Sequence, residues 1–419
     1  MKNRKRLFLI LGCLCAIPVV WITLTKASRL FHHAPNLWTQ GNEAYRKGNY
    51  DFAILCFTKI LRNNPNNKIK AEIYVVRSAA YREKGEYDKA FQDCNHAIYL
   101  EPTFTYAYEN RADTYQKIAE YDEAIADYNR TIASAPNNSI AYCNRGCSYE
   151  KKGDYDQALL DCNKAILLSP KLADTYYVRG DVYRAKGQDD KAIEDYDQGI
   201  RLKPNIIGAY YTRGNAYYRK GEYDKAIADF NQEILLNPKA AGAYNNRGVA
   251  YEAKGEYDKA IADFNETILL NPKLPGGYDS RGYAYERRCE YDKAIADFNQ
   301  SILLNPKLPT GYNHLAWLLA TCSQASVRDG KKSVQYALQA CELSHWKVPA
   351  CVDTLAVAYA ECGDFLQAIK YEQLCLTSSS ISNTDAAEER IRLALFAGHK
   401  PYHETDKSKN DCTSSVMGR

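Results

Sequence analysis

Apolar and small residues along this chain return on a fixed beat. Tyr74 is followed by a tyrosine every 34 residues up to Tyr312, and Tyr81 opens a second such series that ends at Tyr285. Ala90 begins a third ladder running to Ala294, and Pro102 a fourth running to Pro306, both at the same spacing. Four parallel ladders at one period mark a chain built from stacked copies of one small unit. Inside a unit the pattern is helical. Tyr244, Arg247, Gly248 and Tyr251 share one helical face, and Ile261, Phe264, Ile268 and Leu269 form the apolar stripe of a second helix. Gly255 breaks the chain between the two, and Glu256 sets an acid at the next N-terminus, where the helix dipole favours it. Pro272 ends the second helix because it cannot continue the hydrogen-bond ladder. Each unit therefore predicts two antiparallel helices, with Gly248 and Ala260 at their closest approach. Neither helix can bury its stripe alone, so the units must stack.

Large aromatic, small residue, aromatic, loop glycine, alanine and closing proline over 34 residues resemble the tetratricopeptide repeat, bacterial membrane-anchored or periplasmic examples in particular. The resemblance implies an all-α fold: a right-handed α-solenoid of about ten helix–turn–helix repeats. It places them at 34–67, 71–104, 105–138, 139–172, 173–206, 207–240, 241–274 and 275–308. A degenerate ninth at 309–348 is lengthened by an insertion around Cys322–Asp329, and a tenth covers 349–382. A capping helix at 383–399 and a disordered polar tail at 400–419 complete the expected layout. Departures from the pattern are local. Ala119 and Cys289 stand where other units have the loop glycine, and Asp189 replaces a tyrosine.

The family's binding groove is lined by the first helix of each unit, and carrying those positions over gives a candidate partner-binding surface. It comprises Glu109 and Asp113 in the third unit, then Asp174, Tyr177 and Asp181 in the fifth. Tyr211, Asn215 and Tyr218 follow in the sixth, and Asn245 and Glu252 in the seventh. Asp279, Tyr283 and Glu286 close the set in the eighth. Acids outnumber arginines among the groove positions, and tyrosines are interleaved. Tyrosine is a good anchor because it offers much area at low entropy cost. The surface is expected to take a protein or peptide segment bearing basic and aromatic side chains; a merely solvated polar face is the alternative reading. Family members that clamp a chaperone's acidic tail need lysine where this chain has Val75, Glu109, Cys143, Tyr177, Tyr211, Asn245 and Asp279. That ligand is not expected.

A second pair of ladders carries charge. Arg77 recurs every 34 residues to Arg281, and Asp93 likewise to Asp297, each aspartate following its arginine by 16 residues. One sits on each helix of a pair, so the guanidinium fork is placed to pin helix to helix through a carboxylate. An arginine stripe for an acidic partner is the competing reading. Catalytic chemistry finds no foothold: no glycine-rich phosphate loop, HExxH or nucleophile elbow is present, and the seven histidines are scattered. Carboxylates such as Asp263 recur in every unit, whereas an active site is singular. No cofactor, metal or enzymatic activity is expected. The 14 cysteines form no CxxC; Cys94 and Cys162 read as small core residues. Cys341, Cys351, Cys362 and Cys375 read as thiols, with a bridge among them as the alternative.

The N-terminus differs in kind. Lys2, Arg4, Lys5 and Arg6 make a basic segment at 1–6, followed by an uncharged apolar run from Leu7 to Thr25 and a link at 26–33. Nineteen residues at about 1.5 Å each span roughly 28 Å, near the ~30 Å of a hydrocarbon core. Charge before the run exceeds charge after it, so a transmembrane anchor is expected to leave the repeats extracytoplasmic, on the periplasmic face. A cleaved signal peptide, giving a secreted adaptor, is the alternative. Residues 1–33 hold six of the 55 basic residues and no acid, which leaves 49 basic against 51 acidic residues elsewhere. The near-neutral remainder gives no electrostatic footprint for nucleic acid. The expected function is a non-enzymatic, membrane-tethered interaction scaffold, or an auxiliary subunit whose partner does the chemistry.

Overall fold

The computed structural model describes residues 35–377 and 383–404, which form 21 helices and no strand. The helices follow the period as about ten pairs and a final single helix, Asn383–Ala397. The chain divides into two compact units, Met1–Lys220 and Gly221–Arg419. Unit one stacks five hairpins, from Pro35–Arg46 with Tyr50–Arg62 to Ala173–Ala185 with Asp189–Leu202, and adds the helix Ala209–Arg219. Unit two opens on Tyr223–Leu236 and carries four hairpins, from Ala241–Ala253 with Tyr257–Leu270 to Pro349–Glu361 with Phe365–Leu376.

The alanine ladder explains how tightly each hairpin closes. Ala90, Ala124, Ala158, Ala192, Ala226, Ala260 and Ala294 are fully buried, as are the second-helix residues Phe57, Cys94, Tyr128, Cys162, Tyr196, Phe230, Phe264 and Phe298. Where that residue is a ring, the facing first helix often carries glycine. A Cβ on Gly248 would stand 2.6 Å from Phe264 Cε1, and one on Gly180 equally close to Tyr196. Where the ring is replaced by Cys162, a Cβ on Gly146 would stand farther off, 3.2 Å from its Sγ and 3.3 Å from Asp161 Cβ. The loop glycines sit at positive φ, Gly255 at +76°, and Ala119 and Cys289 adopt the same left-handed conformation at +64° and +59°. Those two positions carry the steric cost that their side chains imply.

The arginine ladder is structural in both units. Arg247 Nε and Nη2 donate to the two oxygens of Asp263 at 2.8 and 2.6 Å, and Nη1 donates to Asn231 Oδ1 at 2.5 Å. Asp263 lies 16 residues later and Asn231 16 earlier, so one fork joins its own hairpin to the second helix before it. Arg111, Arg145, Arg179 and Arg281 repeat the arrangement on Asn95, Asn129, Asn163 and Asn265. Arg77 reaches Thr58 and Arg213 reaches Asp197 in the same way. Tyr244 lies under the Arg247 guanidinium at 5.4 Å from its ring centroid. The tyrosine ladder thus packs against the arginine ladder. Outside, Lys254 pairs with Asp224 at 2.6 Å and Glu256 at 2.8 Å. Glu256 caps no backbone N–H, and these lysines hold its carboxyl below the ordinary range.

First helices of neighbouring hairpins also pack on one another: Asn67–Glu83 on Thr105–Lys117 in unit one, and Pro275–Arg287 on Pro309–Thr321 in unit two. Second helices do not touch their successors to the same degree, so the first helices form the crowded inner side of each unit.

Two expectations need correcting. Among the described residues no helix is long and apolar enough to cross a membrane. They run from 11 to 17 residues. The expected transmembrane helix, with its single-pass extracytoplasmic topology, is therefore not supported; residues 1–34, including 1–6, 7–25 and 26–33, lie outside the described residues. The tail was expected to be disordered from Lys400, yet Lys400–Glu404 is anchored through hydrogen bonds to Leu395, Thr321 and Trp317. Residues 405–419 lie outside the described residues.

Two mutations test this architecture. Arg247→Met alone leaves Asp263 buried and uncompensated and is expected to cost about 3 kcal/mol, whereas Arg247→Met with Asp263→Leu returns most of it. Denaturant midpoints of the three chains check this, and a double variant as weak as the single one would refute the clamp. Gly248→Ala forces Phe264 to move and should cost about 1–3 kcal/mol, against less for Gly146→Ala across the smaller Cys162.

Candidate partner-binding faces

The thirteen candidate residues all lie on first helices, but they separate by depth. Glu109, Asp113, Asp174, Tyr177, Asp279 and Glu286 are buried. Their helices pack against the first helix of the next hairpin, and that packing hides the positions facing it. Asp181, Tyr211, Asn215, Tyr218, Asn245 and Glu252 are half-buried, and Tyr283 is 37% exposed.

Several of the candidates have internal work. Asp113 accepts from Tyr128 OH at 2.5 Å and from Arg82 Nη1 at 3.3 Å, and Asp181 accepts from Tyr196 OH at 2.7 Å. Asp279 accepts from Thr310 Oγ1 at 3.0 Å, with the His314 ring 4.0 Å away. Tyr177 reaches the Lys203 carbonyl, and Asn245 donates to Asn246. Asp113, through Arg82, and Asp279, through Thr310, tie neighbouring hairpins together, while Asp181 and Tyr177 close their own hairpin.

Burial outweighs any nearby cation at three carboxylates and disfavours their charged forms. Burial pushes Glu109 up to about 8, helped by the Asp113 charge; Asn138 donates to one oxygen at 2.7 Å and the other has no partner. In unit two, burial raises Glu286 to about 8, with Glu404 adding like charge and Arg287 opposing. Glu252 is raised to about 7 by burial, opposed by Arg287. Tyr283, beside them, is pushed up to about 12 by burial. The inner faces can thus exchange protons near neutrality, and an entering cation would favour their ionised forms.

Sequence periodicity gave no sign of two further clusters in unit two. Arg392 on the last helix lies 2.9 Å from Asp353 and 3.4 Å from Glu372, and Glu389 accepts from the Cys375 thiol at 3.0 Å. Burial drives Glu372 and Asp353 upward, Glu372 further because Asp353 adds its charge. The other cluster gathers Trp317, Arg392, Glu361 and the chain segment Tyr402–Glu404. Cys341, Cys351 and Cys375 are buried free thiols and Cys362 is an exposed one, so no bridge joins the four.

Stacked helical hairpins whose first helices form a polar, tyrosine-bearing inner side define a helical-repeat scaffold. Models of the tetratricopeptide repeat match residues 71–104, 105–138, 139–172 and 275–308, and related ones match 180–221 and 211–276. The chain belongs to the tetratricopeptide-repeat family, whose members are generally non-enzymatic scaffolds for protein–protein contact. Among curated relatives, DnaJ homolog subfamily C member 7 of Homo sapiens is 37% identical over 73 residues, 17% of this chain and 15% of that protein. Small glutamine-rich tetratricopeptide repeat-containing protein 2 of Saccharomyces cerevisiae is 35% identical over 75 residues, 18% of this chain and 21% of that protein. The chain therefore spans about a fifth or less of these relatives' lengths. Among solved structures, MamA is 31% identical, covering 39% of this chain and 95% of that one, with a TM-score of 0.37.

The raised carboxylates set a pH dependence. For Glu109 and Glu286 the folded value exceeds the ordinary 4.5, so the folded state holds more protons from about 4.5 to about 8. Stability due to them is complete below 4.5 and is lost as pH rises through 8. Buried His314 is shifted downward and acts in the opposite sense, but only below its ordinary 6.5. Stability, followed by the thermal midpoint, should therefore fall between pH 6.5 and 8, by at most about 1.4 kcal/mol per pH unit for each group. Glu286→Gln should flatten the slope; a midpoint that rises across this range would contradict the assignment.

Proposed function

We propose that this chain is a non-enzymatic scaffold that holds a segment of a partner protein, bearing basic and aromatic side chains, along the first-helix faces of its repeats. The observation that carries the reading is the buried carboxylate with a raised pKa at each inner face, Glu109 in unit one and Glu252 with Glu286 in unit two. A lysine or arginine side chain entering there supplies countercharge that favours the ionised forms. Tyr218 and Tyr283 stand on the same faces with surface available for stacking or apolar contact. Asp113 and Asp279 contribute by holding neighbouring hairpins in register, and Asp181 by closing its own hairpin, rather than by touching the partner.

Cation binding favours the ionised carboxylates, so complex formation releases protons and affinity rises with pH until they are ionised in the free protein. Selection from a random peptide display library on the full chain at pH 7.5 should enrich sequences combining Lys or Arg with an aromatic residue. A selected peptide should bind about tenfold more tightly at pH 8 than at pH 6, and Glu252→Lys or Tyr283→Ala should weaken it about tenfold. Enrichment of acidic peptides, or affinity indifferent to pH and to both substitutions, would overturn the reading.

A further inference from the structure

Beyond the last helix the chain turns back on itself. Gly398 and Lys400 donate to carbonyls of the helix they have just left, at Leu395, and His399 between them takes a positive φ of 54°. From Pro401 to Glu404 the chain is not helical and lies along the first helix of the ninth hairpin, Pro309–Thr321. Each successive side chain is held, Tyr402 and Glu404 both by Trp317 and His403 by Glu361. The Tyr402 ring lies 6.1 Å from Trp317 and beneath the Arg392 guanidinium at 5.6 Å; Arg392 also covers Trp317 at 5.8 Å. His403 Nε2 lies 2.6 Å from Glu361 Oε2, while the other oxygen of Glu361 accepts from Arg328. Glu404 Oε1 accepts from Trp317 Nε1 at 3.0 Å, and the Glu404 amide donates to the Thr321 carbonyl at 2.9 Å.

Three features make this a ligand's seat and not ordinary packing. Trp317 occupies the register of Tyr283, 34 residues earlier, so the segment lies on the inner side of unit two. The Thr321 carbonyl belongs to the last turn of its helix, where no intrahelical donor remains and an incoming chain can supply one. The segment also sets the Glu404 charge against buried Glu286, which a purely stabilising cap would avoid. Main-chain pairing plus separate subsites for an aromatic ring and an acid is how extended peptides are read.

We propose that the inner face formed by Trp317, Thr321, Glu361 and Arg392 is a peptide site for extended partner segments carrying an aromatic residue two positions before an acid, and that Tyr402-His403-Glu404 is its built-in occupant, displaced when such a segment binds. The proposal shares with the function above only the reading of first-helix faces as binding surfaces. Its residues, and the charge of its ligand, are different.

The probe is a fluorescent peptide with the sequence of residues 398–406, titrated into full-length chains and read by anisotropy. The Tyr402→Ala, Glu404→Ala chain should bind it at least tenfold more tightly than the unaltered chain. Adding Trp317→Ala should remove that gain, and a peptide with alanine at the tyrosine should not bind. No binding to the opened chain while its circular dichroism and thermal midpoint match the original would overturn the proposal, as would equal binding to all three chains. Hydrogen exchange of the unaltered chain gives a readout that does not depend on any variant folding. Saturating peptide should speed exchange at the Glu404 amide at least tenfold while the helix 309–321 stays protected. A Glu404 amide that keeps its protection under saturating peptide marks a fixed structural cap and refutes the proposal. None of these measurements uses basic peptides, Glu252 or Tyr283, so they can fail without affecting the general scaffold reading.

Discussion

The structure depends on the arginine fork repeated through the hairpins. A guanidinium presents its donors in one plane, which lets it hold a carboxylate with two of them and still offer a third elsewhere. Here the pair goes to an aspartate 16 residues ahead and the third to an asparagine 16 residues behind, as Arg145 does with Asp161 and Asn129. Lysine could not make that three-way contact, having neither the plane nor the fork. The aspartates are nearly buried, and burial raises Asp93 and Asp195, with the arginine opposing. The clamp therefore specifies angle and register between helices more than it adds net stability. Stacked units need such a device, because the apolar stripe alone would tolerate sliding.

Ring-against-glycine packing sets the second constraint. Phe264 against Gly248 and Phe298 against Gly282 leave no room for a Cβ, whereas Cys162 against Gly146 leaves some slack. Tight hairpins bring first helices close enough to touch their neighbours. That contact puts Glu109 and Glu286 in a low-dielectric environment, where their charged forms are disfavoured. The acidity of the inner faces is thus a consequence of how closely the hairpins close, and it is stored as bound protons instead of open negative charge.

The period and the helix pairs were legible in the sequence because every structural role repeats, and a repeated role leaves a ladder. The Arg–Asp clamp was legible for the same reason, and its third arm keeps the same period in Asn95, Asn129, Asn163, Asn231 and Asn265. Depth was not legible. Register places Asp113 and Tyr218 on one face, but only packing decides that the first is buried against Arg82 and Tyr128 while the second keeps surface. Features that occur once were illegible. Nothing in the spacing links Trp317 to Glu404, 87 residues apart, or Arg392 to Asp353 and Glu372.

Those singular features gather where the repeat lapses. In the seventh and eighth hairpins, a glutamate amide two residues past the loop turn closes on a tyrosine carbonyl, as Glu256 does on Tyr251. In the ninth, the insertion replaces that turn: Arg328 folds it back on Cys322, and Asp329 donates to Leu319. The Thr321 carbonyl is left to a donor from elsewhere in the chain, and the Glu404 amide supplies it. A side chain at the facing register becomes Trp317, whose indole N–H needs an acceptor when covered. The ninth hairpin keeps the closing bond of the regular repeats, now from Asp329 to Leu319, and in addition seats a chain segment on the Thr321 carbonyl and the Trp317 indole. Selective recognition of an extended segment is therefore best placed at the ninth hairpin, where local regularity has been given up.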